Sequence, residues 1–256
     1  ICDAALIDSL FQAHHFEYVI NCAAESHVDR SIDTPDVFMQ SNVVGVQVLL
    51  DACVRYGIRK FQQMSTDEVY GALGPTGLFT ETSPIAPSSP YSASKASADL
   101  LVQAWHRTYG LPINITRSSN NYGPHQHPEK LIPRMITNAV QNQRLPVYGD
   151  GSNVREWIHV DDHCRAVLAV LENGVSGEIY NIGSNCERSN LEVVTEILSY
   201  LNKPQSLIEL VSDRKGHDWR YAVNCAKIQT ELGWASTIQF VDGLPQTIDW
   251  YVHQCE

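Results

Sequence analysis

The sequence predicts an α/β fold, in which a Rossmann-like parallel sheet is followed by a smaller C-terminal α/β lobe. In the first half, short apolar runs alternate with longer amphipathic segments, which is typical of β-α-β units with right-handed crossovers. After about residue 119 this rhythm loosens, and proline and glycine cluster at 123–133 and 146–151. We therefore predict two domains, residues 1–120 and residues 121–256, with some segments of the second returning to the main sheet.

The individual elements follow from hydrophobic periodicity. Val43, Val46 and Leu50 fall on one face of a helix, and EYVINCAA is typical of a buried strand. In the first half, helices are predicted at 3–14, 36–56 and 90–109, and strands at 17–24, 59–65 and 112–118. In the second half, helices are predicted at 129–143, 161–173, 190–203 and 243–254, and strands at 146–148, 154–159, 178–182 and 207–211.

Composition limits the classes of function. A net charge of −11 argues against a general nucleic-acid-binding surface. No run of about 18 apolar residues occurs, so no membrane span is expected, and the opening ICDAALIDSL has no signal-peptide pattern. The seven cysteines are scattered and form no CxxC pair. This pattern favours reduced thiols in a cytoplasmic protein over disulfides or a zinc site.

The chain has one glycine triplet with the spacing Gly-x-x-Gly-x-x-Gly, formed by Gly71, Gly74 and Gly77. A phosphate-binding turn must lead into a helix whose N-terminus receives the phosphate. The proline-rich segment LFTETSPIAPSSP follows instead, so we predict a surface loop. Either the protein binds no dinucleotide, or the binding turn precedes residue 1.

Polar residues follow three successive predicted strands, in AAESHVDRS (23–31), TDE (66–68) and RSSNNYGP (117–124). Each segment alone could be a capped loop, and Asp67 could simply cap a turn. The carboxyl ends of parallel strands meet at one edge, where open α/β sheets bind ligands. Together the three segments therefore predict a binding site.

Tyr91 and Lys95 are spaced i, i+4 on a predicted helix, which places them on one face. An ammonium close to a phenol lowers the pKa of the phenol, so such a tyrosine can act as a general base. A solvated Tyr/Lys pair on an amphipathic helix is the commoner explanation of this motif alone. The neighbouring strand ends favour the catalytic interpretation.

Six segments together resemble the nucleotide-sugar 4,6-dehydratases of the extended short-chain dehydrogenase/reductase superfamily, most closely the members that act on dTDP-glucose. They are AAESHVDRS, STDEVYG, PYSASKA, RSSNNYGPHQHPEKLIP, GDGSNVREWIHVDDH and RKGHDWRYAV. The resemblance covers residues 1–256. YxxxK and NNYGP are shared with epimerases and decarboxylases of the superfamily. TDEVYG is the specific motif, because sister families replace the Asp–Glu pair with Ser, Ala or a single acid.

The resemblance implies a mechanism. Tyr91 would take the proton of the sugar 4-hydroxyl while hydride passes from C4 to NAD. Glu68 would then remove the C5 proton, Asp67 would protonate the departing 6-hydroxyl, and the hydride would return to C6. Two adjacent carboxyl groups in different protonation states suit such an elimination. Thr66 would bind the 4-oxygen, and Lys95 would bind the nicotinamide ribose and tune Tyr91.

The resemblance also implies binding residues. The cofactor NAD would be bound by Ile1, Ala23, Ala24, Glu25, Ser41, Tyr91, Lys95 and Asn121. The nucleotide-sugar substrate would be bound by Ser26, Thr66, Asn120, Lys130, Leu131, Pro146, Tyr148, Arg155, Asn190, Arg214 and His217. Arginine suits this role because its guanidinium binds phosphate through two parallel hydrogen bonds. His125 and His127 have no third ligand at a suitable spacing, so no metal site is predicted.

Members of this family open with a strand, a glycine-rich turn and a further βα unit. These features do not occur in residues 1–256. We therefore expect the N-terminal part of the Rossmann sheet to be missing, and residues 1–256 by themselves to bind NAD weakly and to be inactive.

Two alternatives stay open. An epimerase or decarboxylase of the same superfamily would use Tyr91 and Lys95 but would leave Asp67 and Glu68 without a task. A truncated chain could bind a nucleotide sugar without turnover. For either enzyme, the resemblance implies a cytoplasmic homodimer formed through the helices at 36–56 and 90–109.

Overall fold

The computed structural model describes residues 1–255 and contains nine strands. They are β1 (Tyr18–Asn21), β2 (Lys60–Thr66), β3 (Ile113–Ser118), β4 (Asn120–Tyr122), β5 (Leu145–Tyr148), β6 (Val154–His159), β7 (Ile179–Ile182), β8 (Glu187–Ser189) and β9 (Ile208–Val211). The main sheet is parallel, with the order β1-β2-β3-β7. Two smaller sheets, β4-β6-β8 and β5-β9, lie in the second half. The predicted α/β fold class is confirmed.

Ten α-helices surround these sheets within the described residues. They are α1 (Ala4–His14), α2 (Val28–Asp33), α3 (Pro35–Met39), α4 (Gly45–Tyr56), α5 (Pro90–Tyr109), α6 (Leu131–Val140), α7 (Val160–Asn173), α8 (Asn190–Tyr200), α9 (Ala226–Leu232) and α10 (Phe240–Cys255). The long helix α5 is well defined by its sequence. Ser89 and Ser92 form a capping box at its start, and Gly110 ends it with a φ of 69°.

The main sheet is covered on both faces. One core packs α1, α4 and α5 against side chains such as Phe61, Ile113 and Ile115. On the other face, Gln62 donates a hydrogen bond to the carbonyl of Val167 in α7. β2, β3 and β7 are largely buried, as is typical of parallel strands. The edge strand β1 exposes Tyr18 at 42% and Ile20 at 37%, so the prediction of a buried strand at 17–24 is wrong in this respect. β7 comes from the second half, and the division of domains at residue 120 stays a prediction.

The segment Pro35–Tyr56 is helical throughout and is long and apolar enough to cross a membrane, with a mean hydropathy of 1.5 over 18 residues. The sequence predicts a helix at 36–56 but no segment able to span a membrane. Val46, Leu50 and Cys53 on this segment belong to the core beneath α1 and α5. Its apolar character is therefore explained by its place in the protein core.

The predicted strand at 17–24 is wrong at its C-terminal end, because β1 stops at Asn21. The side chain of Asn21 donates to Gln63 Oε1 at 2.9 Å and accepts from the backbone N–H of Ala23 at 3.2 Å. This local bond to the backbone replaces the ladder and turns the chain away. Four further short elements were not predicted, namely α2, β4, β8 and α9.

A buried ion pair fastens α5 to β3. Arg117 is 1% exposed, its Nε donates to Asp99 Oδ2 at 2.9 Å, and its guanidinium lies 4.8 Å from the centroid of the Tyr70 ring. Desolvation of two charges makes such a pair costly, but removal of one partner costs more because the other charge stays buried.

We expect Arg117→Met to lower the free energy of unfolding by about 3–5 kcal/mol, because it leaves the Asp99 carboxylate uncompensated. Denaturant unfolding measures this effect. Arg107→Met is the matched control, since Arg107 lies exposed on α5. A loss for Arg117→Met no larger than that of the control would contradict the prediction.

Candidate active site

The end of β2 presents the two adjacent acids. Thr66 is the last residue of β2, and its Oγ1 accepts a hydrogen bond from the N–H of Glu68 at 3.2 Å. This cap starts a 3₁₀ turn at Asp67–Tyr70, which holds both carboxyl groups at the carboxyl edge of the sheet. Polar residues with a short side chain favour such local caps, which explains why threonine precedes the acids.

Asp67 is an acid whose carboxyl group is buried. It is 2% exposed, and its Oδ2 has no hydrogen-bond partner among the described residues. Burial raises the pKa of Asp67 well above its ordinary value, and the negative charges of Glu68 and Glu156 raise it further. A carboxyl group in this state can donate a proton at neutral pH.

Glu68 differs from Asp67 in the charges that surround its carboxyl group. Burial raises the pKa of Glu68 too, but the guanidinium groups of Arg155 and Arg214 oppose this rise. The pKa of Asp67 is therefore strongly raised, whereas positive charges limit the rise in the pKa of Glu68. Such a separation is the usual basis for dividing acid and base roles between two carboxyl groups.

Tyr91 and Lys95 lie one turn apart near the start of α5 and are 9% and 5% exposed. The prediction that Lys95 lowers the pKa of Tyr91 is wrong for this state of the protein. Burial, and next the charge of Glu68, raise the pKa of Tyr91. The ammonium of Lys95 donates a hydrogen bond to the carbonyl of Met64 at 2.6 Å.

Asn42 is a functional candidate that the sequence prediction missed. It is 1% exposed within a π-helical turn, Gln40–Val44, of a kind often found at functional sites. Its Oδ1 accepts from the N–H of Glu25 at 2.8 Å, and its Nδ2 donates to the Glu25 carbonyl and to Ser94 Oγ, both at 2.9 Å. The only sequence signal was an asparagine within an apolar helical stretch.

The residues predicted to bind the cofactor come from several segments, and their contact with NAD stays a prediction. Ala23, Ala24 and Glu25 form the loop after β1 that Asn42 holds. Ser41 precedes Asn42 and is half-buried. Asn121 has a buried Oδ1 without a partner among the described residues, which suits a donor on a bound molecule. Ile1 instead packs against Gly45, where an added Cβ would lie 2.5 Å from Ile1 Cγ1.

An open cavity of about 1180 Å³ extends from Glu68 into the second lobe. All the predicted substrate residues except Thr66 line this cavity, which brings together Ser26, Asn120, Lys130, Leu131, Pro146, Tyr148, Arg155, Asn190, Arg214 and His217. Thr66 lies next to Glu68 at its inner end. Contact of these residues with a substrate stays a prediction.

Three cations give one part of the cavity a positive charge in an otherwise acidic protein. Lys130 donates to the carbonyl of Ser26 at 2.7 Å. Arg155 Nη2 donates to the carbonyl of Asp218 at 3.0 Å, and its guanidinium lies 4.5 Å from the centroid of the Tyr221 ring. The third cation is Arg214. Guanidinium groups near a lysine suit a diphosphate.

His217 also lies at this wall. Its Nδ1 bonds Asp213 Oδ1 at 2.6 Å, and its Nε2 is buried without a partner among the described residues. Burial lowers the pKa of His217, so the ring is neutral at neutral pH. His125 packs on Trp250 with a centroid distance of 4.6 Å, and His127 lies 3.7 Å from Glu129, as expected for loop residues.

Comparison with known proteins decides the family. Residues 1–247 match the sequence profile of the family described as GDP-mannose 4,6 dehydratase. A dTDP-glucose 4,6-dehydratase of Xanthomonas campestris pv. campestris is 52% identical over 98% of this chain and 77% of its own length. The chain belongs to the dTDP-glucose 4,6-dehydratase family.

Solved structures agree with this dehydratase family. They also show that the fold alone does not distinguish a dehydratase from an epimerase. The dTDP-glucose 4,6-dehydratase DesIV of Streptomyces venezuelae, solved with NAD bound, superposes with a TM-score of 0.96 at 49% identity, over 98% of this chain and 77% of its own. A UDP-glucose 4-epimerase of Thermotoga maritima has a TM-score of 0.95 at 27% identity, over 100% of this chain and 83% of its own. Dehydratases and epimerases therefore share the backbone, and the residues at the site distinguish them.

Proposed function

We propose that this protein is an NAD-dependent lyase that dehydrates a nucleoside diphosphate hexose, dTDP-glucose, to the 4-keto-6-deoxy sugar. The observation that carries the proposal is the Asp67–Glu68 pair at the end of β2. Glu68 lines the cavity, and Asp67 lies buried next to it. Burial raises the pKa of both acids, while Arg155 and Arg214 oppose the rise at Glu68. An epimerase needs no such pair.

The residues present fit the cofactor at its nicotinamide end. Asn121 offers a buried acceptor, and the Glu25 backbone is fixed by Asn42. Further contacts to the cofactor would come from Ala23, Ala24, Ser41, Tyr91 and Lys95. Ile1 lies against Gly45. Bound NAD supplies the chemistry that the side chains lack, by taking up two electrons from C4 and returning them to C6.

The chain's own groups move the protons. Tyr91 takes the proton of the 4-hydroxyl, and Thr66 holds the 4-oxygen. The resulting ketone acidifies C5, and Glu68 removes that proton, a role in which Arg155 and Arg214 favour its carboxylate against the effect of burial. Asp67 donates a proton to the departing 6-hydroxyl, a role that its raised pKa favours. The water product leaves through the open cavity.

The remaining contacts bind the substrate. Ser26 and Asn120 lie at the sugar end, near Glu68. Lys130, Arg155 and Arg214 would bind the diphosphate. The other lining residues, Leu131, Pro146, Tyr148, Asn190 and His217, would enclose the nucleoside.

Product analysis tests the function. The full-length gene product is incubated with NAD and with dTDP-glucose, UDP-glucose or GDP-mannose in parallel. We expect the first to give a 4-keto-6-deoxy sugar, which absorbs strongly in alkali. A 4-epimer as the product would support the epimerase alternative, and binding without any turnover would support the non-catalytic alternative.

The two carboxyl groups predict a bell-shaped dependence of kcat on pH. Glu68 must be ionised, so kcat should rise as pH increases through its pKa, which lies above its ordinary 4.5. Asp67 must be protonated, so kcat should fall as pH increases through its pKa, which lies well above 3.8. Because the groups interact, the measured values belong to the pair. A kcat that is constant from about pH 5 to about pH 9 would contradict these roles.

We also propose that the protein is a cytoplasmic homodimer. The six described cysteines are free, as in a reducing compartment. Apolar side chains are exposed on the two candidate helices, with Val44 at 39% on the first and Leu100 at 57% on the second. Light scattering should give twice the chain mass, and Leu100→Glu should lower it to one chain. A monomeric unmodified protein would contradict the dimer.

A further inference from the structure

Asp29 links the loop after β1 to the wall of the cavity. Its Oδ2 accepts a hydrogen bond from the hydroxyl of Tyr148 at 3.0 Å, across 119 residues of sequence. Its Oδ1 lies 3.5 Å from Nε of Arg214. One carboxylate therefore contacts two predicted substrate residues that come from separate segments of the second lobe.

Arg214 is oriented by these contacts. Its guanidinium lies 5.1 Å from the centroid of the Tyr148 ring, and its Nε edge faces Asp29. Its two Nη groups make no hydrogen bond to the described residues and remain available at a cavity wall. The contact at Nε is an ion pair without a hydrogen bond, and it leaves the Nη groups able to offer two parallel N–H groups to a phosphate.

A simpler role for Asp29 is to stabilise α2. It lies in the first turn of that helix, where a negative charge is favourable. Its carboxylate oxygens, however, contact Tyr148 and Arg214 rather than the backbone of α2, and His27 provides the cap by accepting from the Arg30 N–H. The helix-stabilising role leaves the direction of the carboxylate unexplained.

We propose that Asp29 is a positioning residue for diphosphate recognition: it holds Arg214 against the Tyr148 ring so that the Nη groups face the substrate. This inference rests on the proposed function, because it assigns Arg214 to a nucleoside diphosphate. Asp29 does not touch the reacting carbons and acts through Arg214. Without it, the arginine must be ordered at the moment of binding, which lowers affinity.

The test uses calorimetry with two probes, dTDP and thymidine. Asp29→Asn should weaken dTDP binding about tenfold, the loss expected when a charge-assisted hydrogen bond is misplaced. Binding of thymidine, which carries no phosphate, should change less than about twofold. Asp33→Asn is the matched control, because Asp33 is exposed on the same helix and the charge change is identical.

A second variant keeps the test informative if Asp29→Asn is poorly folded. Tyr148→Phe removes only the hydroxyl that holds Asp29 Oδ2, and it should weaken dTDP binding in the same direction. The double variant should lose less than the sum of the two single effects.

Three results would overturn the proposal. Unchanged or tighter dTDP binding by Asp29→Asn would mean that Asp29 competes for Arg214 instead of positioning it. An equal loss for dTDP and thymidine would show a structural role only. Failure of the unmodified protein to bind dTDP would contradict the proposed substrate as well, whereas normal binding with an insensitive variant would overturn this inference alone.

Discussion

Replacing Tyr91 with phenylalanine should lower kcat by about 10²–10⁴-fold, the usual contribution of a general base. The ring is 9% exposed and packs edge-on against Phe38 at a centroid distance of 6.4 Å, and phenylalanine keeps this packing. Only the proton acceptor is lost. The measurement is the rate of 4-keto-6-deoxy sugar formation by the full-length gene product.

Tyr109→Phe is the matched control for this experiment. Tyr109 is the last residue of α5 and is 57% exposed, so loss of its hydroxyl should change neither activity nor stability. Both variants should unfold at the denaturant concentration of the unmodified protein. Near-normal turnover by Tyr91→Phe would remove Tyr91 from the mechanism.

A general base must be ionised, whereas burial works against the phenolate of Tyr91. In this structure the pKa of Tyr91 is raised by burial and by the charge of Glu68. Lys95, from the next turn of α5, is directed to the Met64 carbonyl. The role that the resemblance implies for Lys95, at the nicotinamide ribose and Tyr91, stays a prediction.

The main sheet could be predicted from sequence because its strands alternate with long helices. β2 (KFQQMST) and β3 (INITRS) are buried although they carry several polar residues, and Thr66 pairs in register with Ser118. Strand ends in register bring the polar segments to one edge. Because the strand ends are in register, the sequence predicts a site at the carboxyl edge of the sheet.

The remaining features depend on contacts between residues far apart in sequence. The end of β1 depends on a bond from Asn21 to Gln63. Asn42 belongs to the site because a π-helical turn directs it to Glu25 and Ser94. No periodicity in the chain encodes such pairs, so sequence patterns alone could not find them.

The direction of a pKa shift is likewise a tertiary property. Motif spacing places Lys95 one turn after Tyr91, and this predicts a lowered phenol pKa. The observed direction is the opposite because burial and Glu68 outweigh the lysine. Adjacency in sequence predicts the Asp67–Glu68 pair. Arg155 and Arg214, which oppose the rise in the pKa of Glu68, come from the second lobe and could not be placed there by the motif.

The two carboxyl groups should be separable by substitution. Glu68→Gln removes the base for C5, and Asp67→Asn removes the acid for the 6-hydroxyl. Each should slow overall turnover by about 10²–10⁴-fold. Asp67→Asn should change stability little, because burial raises the pKa of that carboxyl group and so favours its neutral form. Glu68→Gln removes a charge that interacts favourably with Arg155 and Arg214. It should therefore lower the free energy of unfolding more than Asp67→Asn does.

The step at which each variant stops identifies its role. Oxidation at C4 needs neither acid, so both variants should still show the absorbance of the reduced nicotinamide when dTDP-glucose is added, and this signal is the internal control. In deuterated water, Asp67→Asn should exchange the C5 proton while releasing little water, because Glu68 still acts as the base. Glu68→Gln should exchange it at least about 10²-fold more slowly than the unmodified protein. Exchange at the normal rate in Glu68→Gln would assign the base to another residue, and loss of exchange in Asp67→Asn alone would reverse the two roles.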